Sequence, residues 1–320
     1  MNTRPTMHRR VRAHGPLAGL CLATAALALS ACGGGSSDES PEITRADVRA
    51  ARTASAQQAR PTTTAAYADR SADASPLAAW VPKVTDTWQW QLTGTINTSY
   101  NVNVYDIDLF EAPDAVMTQL HNQGRYVVCY FSAGSAENWR PDYDQFKPAD
   151  LGKNLDGWPG EKWVDTRSAN VRNIMKARLD LAKQRGCDGV EPDNVEAYNN
   201  NPGFNGELTA KTQLNYNRFL ATEAHARGLK IGLKNDIKQL KSLEPSFDFA
   251  VNEQCQQYNE CGGYAVFTGH GKPVFTAEYK KIWRDDADAR AQMCAKARSM
   301  NLRTLVLPLS LNDAFRYSCD

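Results

Sequence analysis

Four times along the chain an amphipathic, helix-like stretch stops at a glycine or an asparagine, and a strand-like run of six or seven residues follows at once. Gly124 leads into Arg125–Phe131, Gly186 into Cys187–Asp193, Gly228 into Leu229–Asn235 and Asn301 into Leu302–Leu307. Glycine and asparagine tolerate the left-handed backbone that ends a helix. The helical stretches carry apolar residues on one face: Val171, Ile174, Met175, Leu181 and Ala182 before Gly186, and Tyr216, Phe219, Leu220 and Ala224 before Gly228. Further strand candidates are Trp88–Leu92, Val104–Asp108, Phe247–Glu253 and Pro273–Glu278, which makes eight. Repeated strand–helix alternation implies parallel strands with right-handed crossovers. Eight strands over about 240 residues predict an α/β fold, a (β/α)8 TIM-type barrel. A doubly wound open sheet is the alternative, and the lack of a Gly-rich phosphate loop argues against it. Trp163-Val164-Asp165 reads as an extra short strand in the connection after the third strand.

Residues 1–31 read differently. Arg4, Arg9, Arg10 and Arg12 precede an apolar run from Pro16 to about Leu29, too short to span a bilayer. Leu29-Ser30-Ala31-Cys32 then resembles a bacterial lipoprotein signal, in which Cys32 becomes the lipidated first residue. An ordinary signal peptide with an incidental cysteine is the alternative. Gly33 after that cysteine points to the outer membrane or cell surface. Residues 32–79, rich in Ala, Ser, Thr and Arg, read as a flexible tether, and residues 80–320 as the folded domain. Four of the 37 basic residues belong to the signal, which leaves 33 against 36 acidic ones. That balance excludes a nucleic-acid binder driven by backbone charge. The expected state is a monomer.

Of the six cysteines beyond Cys32, Cys255 and Cys261 close a short polar loop, and Cys294 with Cys319 would pin the C-terminus to the last helix. Cys129 and Cys187 are left open, free or paired. With few histidines and no CxxC motif, neither a structural metal nor a cofactor is expected. No G-x-S-x-G elbow is present.

In such barrels the site lies at the C-terminal strand ends, and acids recur there. Asp106 and Asp108 end the second strand, Glu191 and Asp193 with Asn194 the fourth. Lys234 and Asp236 follow on the fifth, Glu253 on the sixth, Glu278 and Tyr279 on the seventh. Any one of these could simply cap the next helix. Five acid-bearing strand ends together fit glycoside hydrolysis, which uses two carboxylates across a cleft. Trp88, Trp90, Tyr105, Tyr130 and Tyr279 could stack on sugar faces, with core packing as the alternative for each.

Trp88-Gln-Trp-Gln-Leu92, Val104-Tyr-Asp-Ile-Asp108, Cys129-Tyr-Phe-Ser-Ala-Gly134, Asp188-Gly-Val-Glu-Pro-Asp-Asn194 and Val251-Asn-Glu-Gln-Cys255 together resemble glycoside hydrolase family 114, the endo-α-1,4-polygalactosaminidases. The resemblance runs from about Trp88 to the C-terminus. It implies a barrel that cleaves α-1,4-linked galactosamine exopolysaccharide, with catalytic carboxylates on strands four and six. Strand four offers two candidates. Asp193, nearest the strand end, is taken as nucleophile; its Asp-Asn pair also looks like the nucleophile segment of α-galactosidase barrels. Glu191 becomes a supporting residue, and Glu253 is the acid/base of a retaining mechanism. A de-acetylated polymer is cationic, so Asp106, Asp108, Glu191, Asp236 and Glu278 are expected to line the cleft and attract it. Two other functions fit the same residues: a non-catalytic surface lipoprotein that binds amino sugar polymer or cell-wall glycan, and an enzyme acting on neutral α-glycans.

Overall fold

The computed structural model describes residues 78–320. The signal, the Cys32 lipidation site and the tether up to residue 77 lie outside the described residues. Among those described, the strands are β1 (Trp88–Gln91), β2 (Val104–Asp108), β3 (Tyr126–Ser132), β4 (Ser135–Glu137), β5 (Leu151–Asn154), β6 (Glu161–Val164), β7 (Gly189–Asp193), β8 (Lys230–Lys234), β9 (Phe249–Glu253), β10 (Val274–Glu278), β11 (Arg303–Val306) and β12 (Tyr317–Ser318). Nine form one sheet in the order β1-β2-β3-β7-β8-β9-β10-β11-β12. The first eight of these run parallel and correspond to the eight strands read from the sequence. Each new parallel strand adds at the same edge, so the sheet winds in one direction and curls. A doubly wound sheet would reverse its order partway. β12 pairs antiparallel with β11. Toward β1, Arg316 Nη2 donates to the Trp88 carbonyl at 2.9 Å and Leu92 N to the Leu311 carbonyl at 3.0 Å. The C-terminal segment therefore covers the seam between the first and last parallel strands.

Side-chain alternation sorts each strand into two cores. Outward residues such as Ile107, Cys129, Val190, Ile231 and Leu233 pack on the helices. Inward Trp88, Trp90, Val128, Phe249, Val251, Phe275 and Leu305 fill the barrel. Helix Ala169–Arg185 shows how the outer layer is specified. Ser168 caps its N-terminus by accepting from Asn170 N and Val171 N; Val171, Ile174, Met175, Leu179 and Ala182 are buried, and Gly186 ends it at φ 83°. All four helix stops read from the sequence adopt the left-handed conformation: Gly124 at 74°, Gly186 at 83°, Gly228 at 69° and Asn301 at 56°.

Three disulfides staple the unit. Cys255–Cys261 closes the loop after β9 and Cys294–Cys319 pins the C-terminus to helix Ala287–Ser299. Cys129–Cys187, the pair left open, ties β3 to the segment before β7. The extra strand expected at Trp163 is β6, which pairs antiparallel with β4 and β5 in a small separate sheet.

Candidate active site

Three neighbouring strands end on charged residues: β7 on Asp193, β8 on Lys234 and β9 on Glu253. The next residue in each case has left-handed backbone: Asn194 at φ 61°, Asn235 at 46° and Gln254 at 69°. That conformation costs an ordinary L-residue roughly 1–2 kcal/mol, less for asparagine. It stops the strand abruptly and leaves the charged side chain at the barrel mouth. Asn235 Oδ1 also accepts from Glu253 N at 3.0 Å and from Asn252 Nδ2 at 3.1 Å, which holds the end of β9. Gly134 lies so close to Asn194 that a Cβ would sit 1.8 Å from its carbonyl oxygen. Only glycine lets the chain after β3 close on this turn.

Lys234 is the centre of the constellation. Its Nζ lies 2.8 Å from Glu191 Oε1, 3.2 Å from Asp193 Oδ1 and 3.5 Å from Glu253 Oε2. The ammonium also sits over the rings of Trp90 and Tyr130, at 4.8 and 5.6 Å. Burial opposes its charge, but Asp193, Glu191 and Glu253 outweigh burial and hold its pKa well above the usual lysine value. Since both contact one nitrogen, the facing oxygens of Asp193 and Glu253 are at most about 7 Å apart, no wider than inverting glycosidase pairs allow. Two phenols complete the row. Tyr130 Oη donates to Asp193 Oδ2 at 2.9 Å and Tyr279 Oη to Glu253 Oε1 at 2.6 Å. Burial, then the Glu253 charge, raises the Tyr279 pKa well above 10, so it stays a donor.

Asp193, Lys234, Glu253 and Tyr130 face an open cleft. One wall is Trp90, Tyr130 and Leu311; the other comes from the small sheet and its turns, with Trp158, Glu161 and Trp163. Ser135 Oγ donates to Glu161 Oε1, and Asn194 Nδ2 reaches the same oxygen at 3.2 Å. Trp158, Glu161, Trp163 and Asn235 are site residues that sequence reasoning missed. A signal existed: two tryptophans flank the Pro159-Gly160 turn inside the long connection after β3.

Other nominated residues lie elsewhere. Trp88 is fully buried in the barrel, stacked between Trp90 and Phe275. Tyr105 faces the helix layer, and its Oη accepts from Tyr100 N at 3.0 Å. Asp108 is gripped bidentately by Arg140 at 2.9 and 2.6 Å and accepts from two backbone amides, so it organises the loop after β2. Asp236 binds Tyr198 Oη at 2.8 Å and Asn217 Nδ2 at 3.0 Å, fastening helix Ala210–Ala226. Glu278 accepts from Gln256 N at 2.6 Å and braces the loop after β9. Asp106 and Glu191 are buried beneath the cleft floor. Burial raises the Glu191 pKa to about 7, with Asp193 adding to it and Lys234 opposing. Tyr130, Asn194, Lys234 and Trp90 do line the cleft with Asp193 and Glu253. Among the described residues, Cys255, Cys261 and Glu278 cluster, but the two sulfurs are joined to each other, which removes the thiolates a metal needs.

Comparison with known proteins gives this geometry its context. The chain is 46% identical to Ega3 of Aspergillus fumigatus, whose structure in complex with galactosamine superposes with a TM-score of 0.70 over 76% of this chain and 98% of that one. The glycoside hydrolase domain of PelA from Pseudomonas aeruginosa shares the fold at 17% identity, with a TM-score of 0.57 over 72% of this chain and 98% of that one. An uncharacterized protein of Deinococcus radiodurans is 28% identical over 228 residues, which span 60% of this chain and 71% of the relative. The profile of glycoside-hydrolase family GH114 matches residues 69–320. Because that match runs through every strand that builds the cleft, this chain belongs to glycoside-hydrolase family GH114.

Proposed function

We propose that the protein is an endo-acting glycoside hydrolase that cleaves α-1,4-linked galactosamine-containing polysaccharide, with Asp193 as nucleophile and Glu253 as general acid/base. The observation that carries this reading is the group Asp193–Lys234–Glu253, two carboxylates that both contact one ammonium at the mouth of a barrel. The relative solved with galactosamine supplies the sugar class. An open cleft, rather than a closed pocket, suits attack within a chain.

In the retaining route, an Asp193 oxygen attacks the anomeric carbon as the glycosidic C–O bond breaks, and Glu253 gives its proton to the departing oxygen. Negative charge thereby leaves Asp193 and arrives on Glu253. Water, giving its proton to Glu253, then displaces Asp193 and restores both groups. Lys234 touches both carboxylates, so the cation stays next to the charge in either state. Tyr130 holds the nucleophile and Tyr279 the acid/base.

The acids first expected to recognise a cationic polymer are mostly occupied or buried. Glu196, half-buried in the cleft wall, takes over that part. Export and a lipid anchor at Cys32 remain a proposal from sequence alone, one that would set this cleft at a membrane surface, where exopolysaccharide collects.

Asp193→Asn and Glu253→Gln test the assignment. Each is expected to lower the rate of reducing-end release from partly de-acetylated galactosamine polymer by roughly 10⁴-fold or more, with unchanged circular dichroism. Polymer retention without any reducing ends from the wild-type protein would instead establish a binding module. The anomeric configuration of the first product, read by NMR, decides between retention and inversion.

A further inference from the structure

Two carboxyl groups under the cleft have no chemical step in this mechanism. Asp106 on β2 is 1% exposed and Glu191 on β7 is 0% exposed. Their carboxyls are within hydrogen-bonding reach of each other. Yet neither Asp106 Oδ1 nor Glu191 Oε2 takes a hydrogen bond from any donor among the described residues. Two carboxylates have nothing to donate, so a bond between them requires a proton. Charge balance gives the same answer. Asp106 and Glu191 are fully buried and share the single charge of Lys234 with the nucleophile Asp193, and that one cation cannot compensate two buried anions as well as Asp193. Glu191 Oε1 faces the ammonium at 2.8 Å, which places the negative charge on Glu191 and the proton on Asp106. Burial first, and then the Glu191 charge, push the Asp106 pKa well above the usual carboxylate range. The other groups that face this pair are Asp193 on β7 and Lys234 on β8; beyond them stand Glu253 on β9 with Tyr279, and Tyr130 on β3.

We propose that Asp106 and Glu191 share one proton and act as positioning residues, a singly charged pair that fixes the Lys234 ammonium between Asp193 and Glu253. A wholly neutral pair would leave the lysine free to settle on one catalytic carboxylate. A doubly charged pair would draw it down, away from both. The proposal uses the glycosidase reading for what the lysine serves, but the proton itself does not depend on that reading.

The test has a spectroscopic and a kinetic arm. In the full chain labelled with 13C-aspartate, infrared difference spectra at about pH 8, above the value of about 7 to which burial lifts Asp236, should retain a protonated-carboxyl C=O band. That band should be missing in Asp106→Asn. A wild-type spectrum without it overturns the proposal, whether or not the variant folds. In the kinetic arm, Asp106→Asn supplies the same donor without a titrating proton, so kcat and KM should stay within about threefold of wild type. Glu191→Gln removes the anion that faces Lys234, and kcat should fall about tenfold or more while KM changes less. Equal losses in the two variants would overturn the placement of the charge on Glu191. A wild-type protein that cuts no polymer would sink the proposed function and leave the infrared band to decide the pair.

Discussion

Replacing Tyr279 by phenylalanine removes one oxygen from the site, and its effect can be worked out. The phenol donates to Glu253 Oε1 at 2.6 Å. While Glu253 holds its proton, that bond is neutral and contributes ~0.5–1.5 kcal/mol; once Glu253 has given the proton up, a bond to a charged acceptor contributes ~1.5–3 kcal/mol. The excess, about 1–1.5 kcal/mol, exists only as the leaving group departs. Tyr279→Phe should therefore lower kcat roughly five- to thirteenfold and leave KM unchanged. Its cost in stability should be under about 1 kcal/mol, because the Glu253 side chain is 28% exposed and water can replace the phenol. The assay is steady-state cleavage of partly de-acetylated polymer beside an oligosaccharide whose activated leaving group departs without a proton. With the second substrate the variant and wild type should be equal in the bond-breaking step. An unchanged kcat on polymer, or an equal loss on both substrates, would refute the role given to Glu253.

Cys129→Ser with Cys187→Ser opens a crosslink of sequence separation 58, and loop entropy predicts a loss of about 4 kcal/mol in urea unfolding; a loss below about 1 kcal/mol would contradict it. Asp236→Asn should flatten the pH dependence of stability. Burial raises the Asp236 pKa to about 7, against roughly 4 in the unfolded chain, so wild-type stability declines as pH rises from about 4 to 7 by up to one proton's worth of linkage, and the variant should lack that slope in denaturation series. Glu196→Gln should raise KM for de-acetylated polymer several-fold and weaken its salt dependence, since screening acts over about 8 Å at physiological ionic strength; a salt dependence equal to wild type would remove Glu196 from charge recognition.

The barrel was legible because each helix must stop before the next strand starts, and Gly124, Gly186, Gly228 and Asn301 mark those stops in the chain itself. The charged strand ends were legible too, but their direction and depth were not. Neighbours on a strand cannot both face inward. Asp106 inside therefore places Tyr105 outside, and Ala277 with Tyr279 inside places Glu278 outside. Counting parity would have removed both residues from the cleft. Asp236 escapes even parity: Asn235 and Asp236 both have left-handed backbone, at 46° and 44°, and the alternation from Lys234 is lost. Depth is a property of the curled sheet. Trp88 and Trp90 share a face, yet only Trp90 reaches the cleft; Glu191 and Asp193 share a face, yet only Asp193 does. The wall formed by Trp158, Glu161 and Trp163 depends on an antiparallel excursion with no helix period to announce it.

The choice of lysine at position 234 follows from the number of acceptors around it. An ammonium is a compact charge with three donors on a flexible stem. Three carboxylates, at 2.8, 3.2 and 3.5 Å, each from a different residue, match that donor count. An arginine fork holds its carboxylates bidentately and spreads its charge in a plane, as Arg140 does with Asp108 and Glu137. Such a pair is well suited to holding a loop and poorly suited to a charge that must move from Asp193 to Glu253 and back. Below the lysine, the packed rings of Trp88, Phe249 and Phe275 keep the barrel floor apolar. In that low dielectric, each of the three contacts is stronger than it would be in water, and an uncompensated fourth charge is correspondingly costly. The same burial that strengthens the grip of Lys234 on the catalytic carboxylates thus keeps a proton on Asp106.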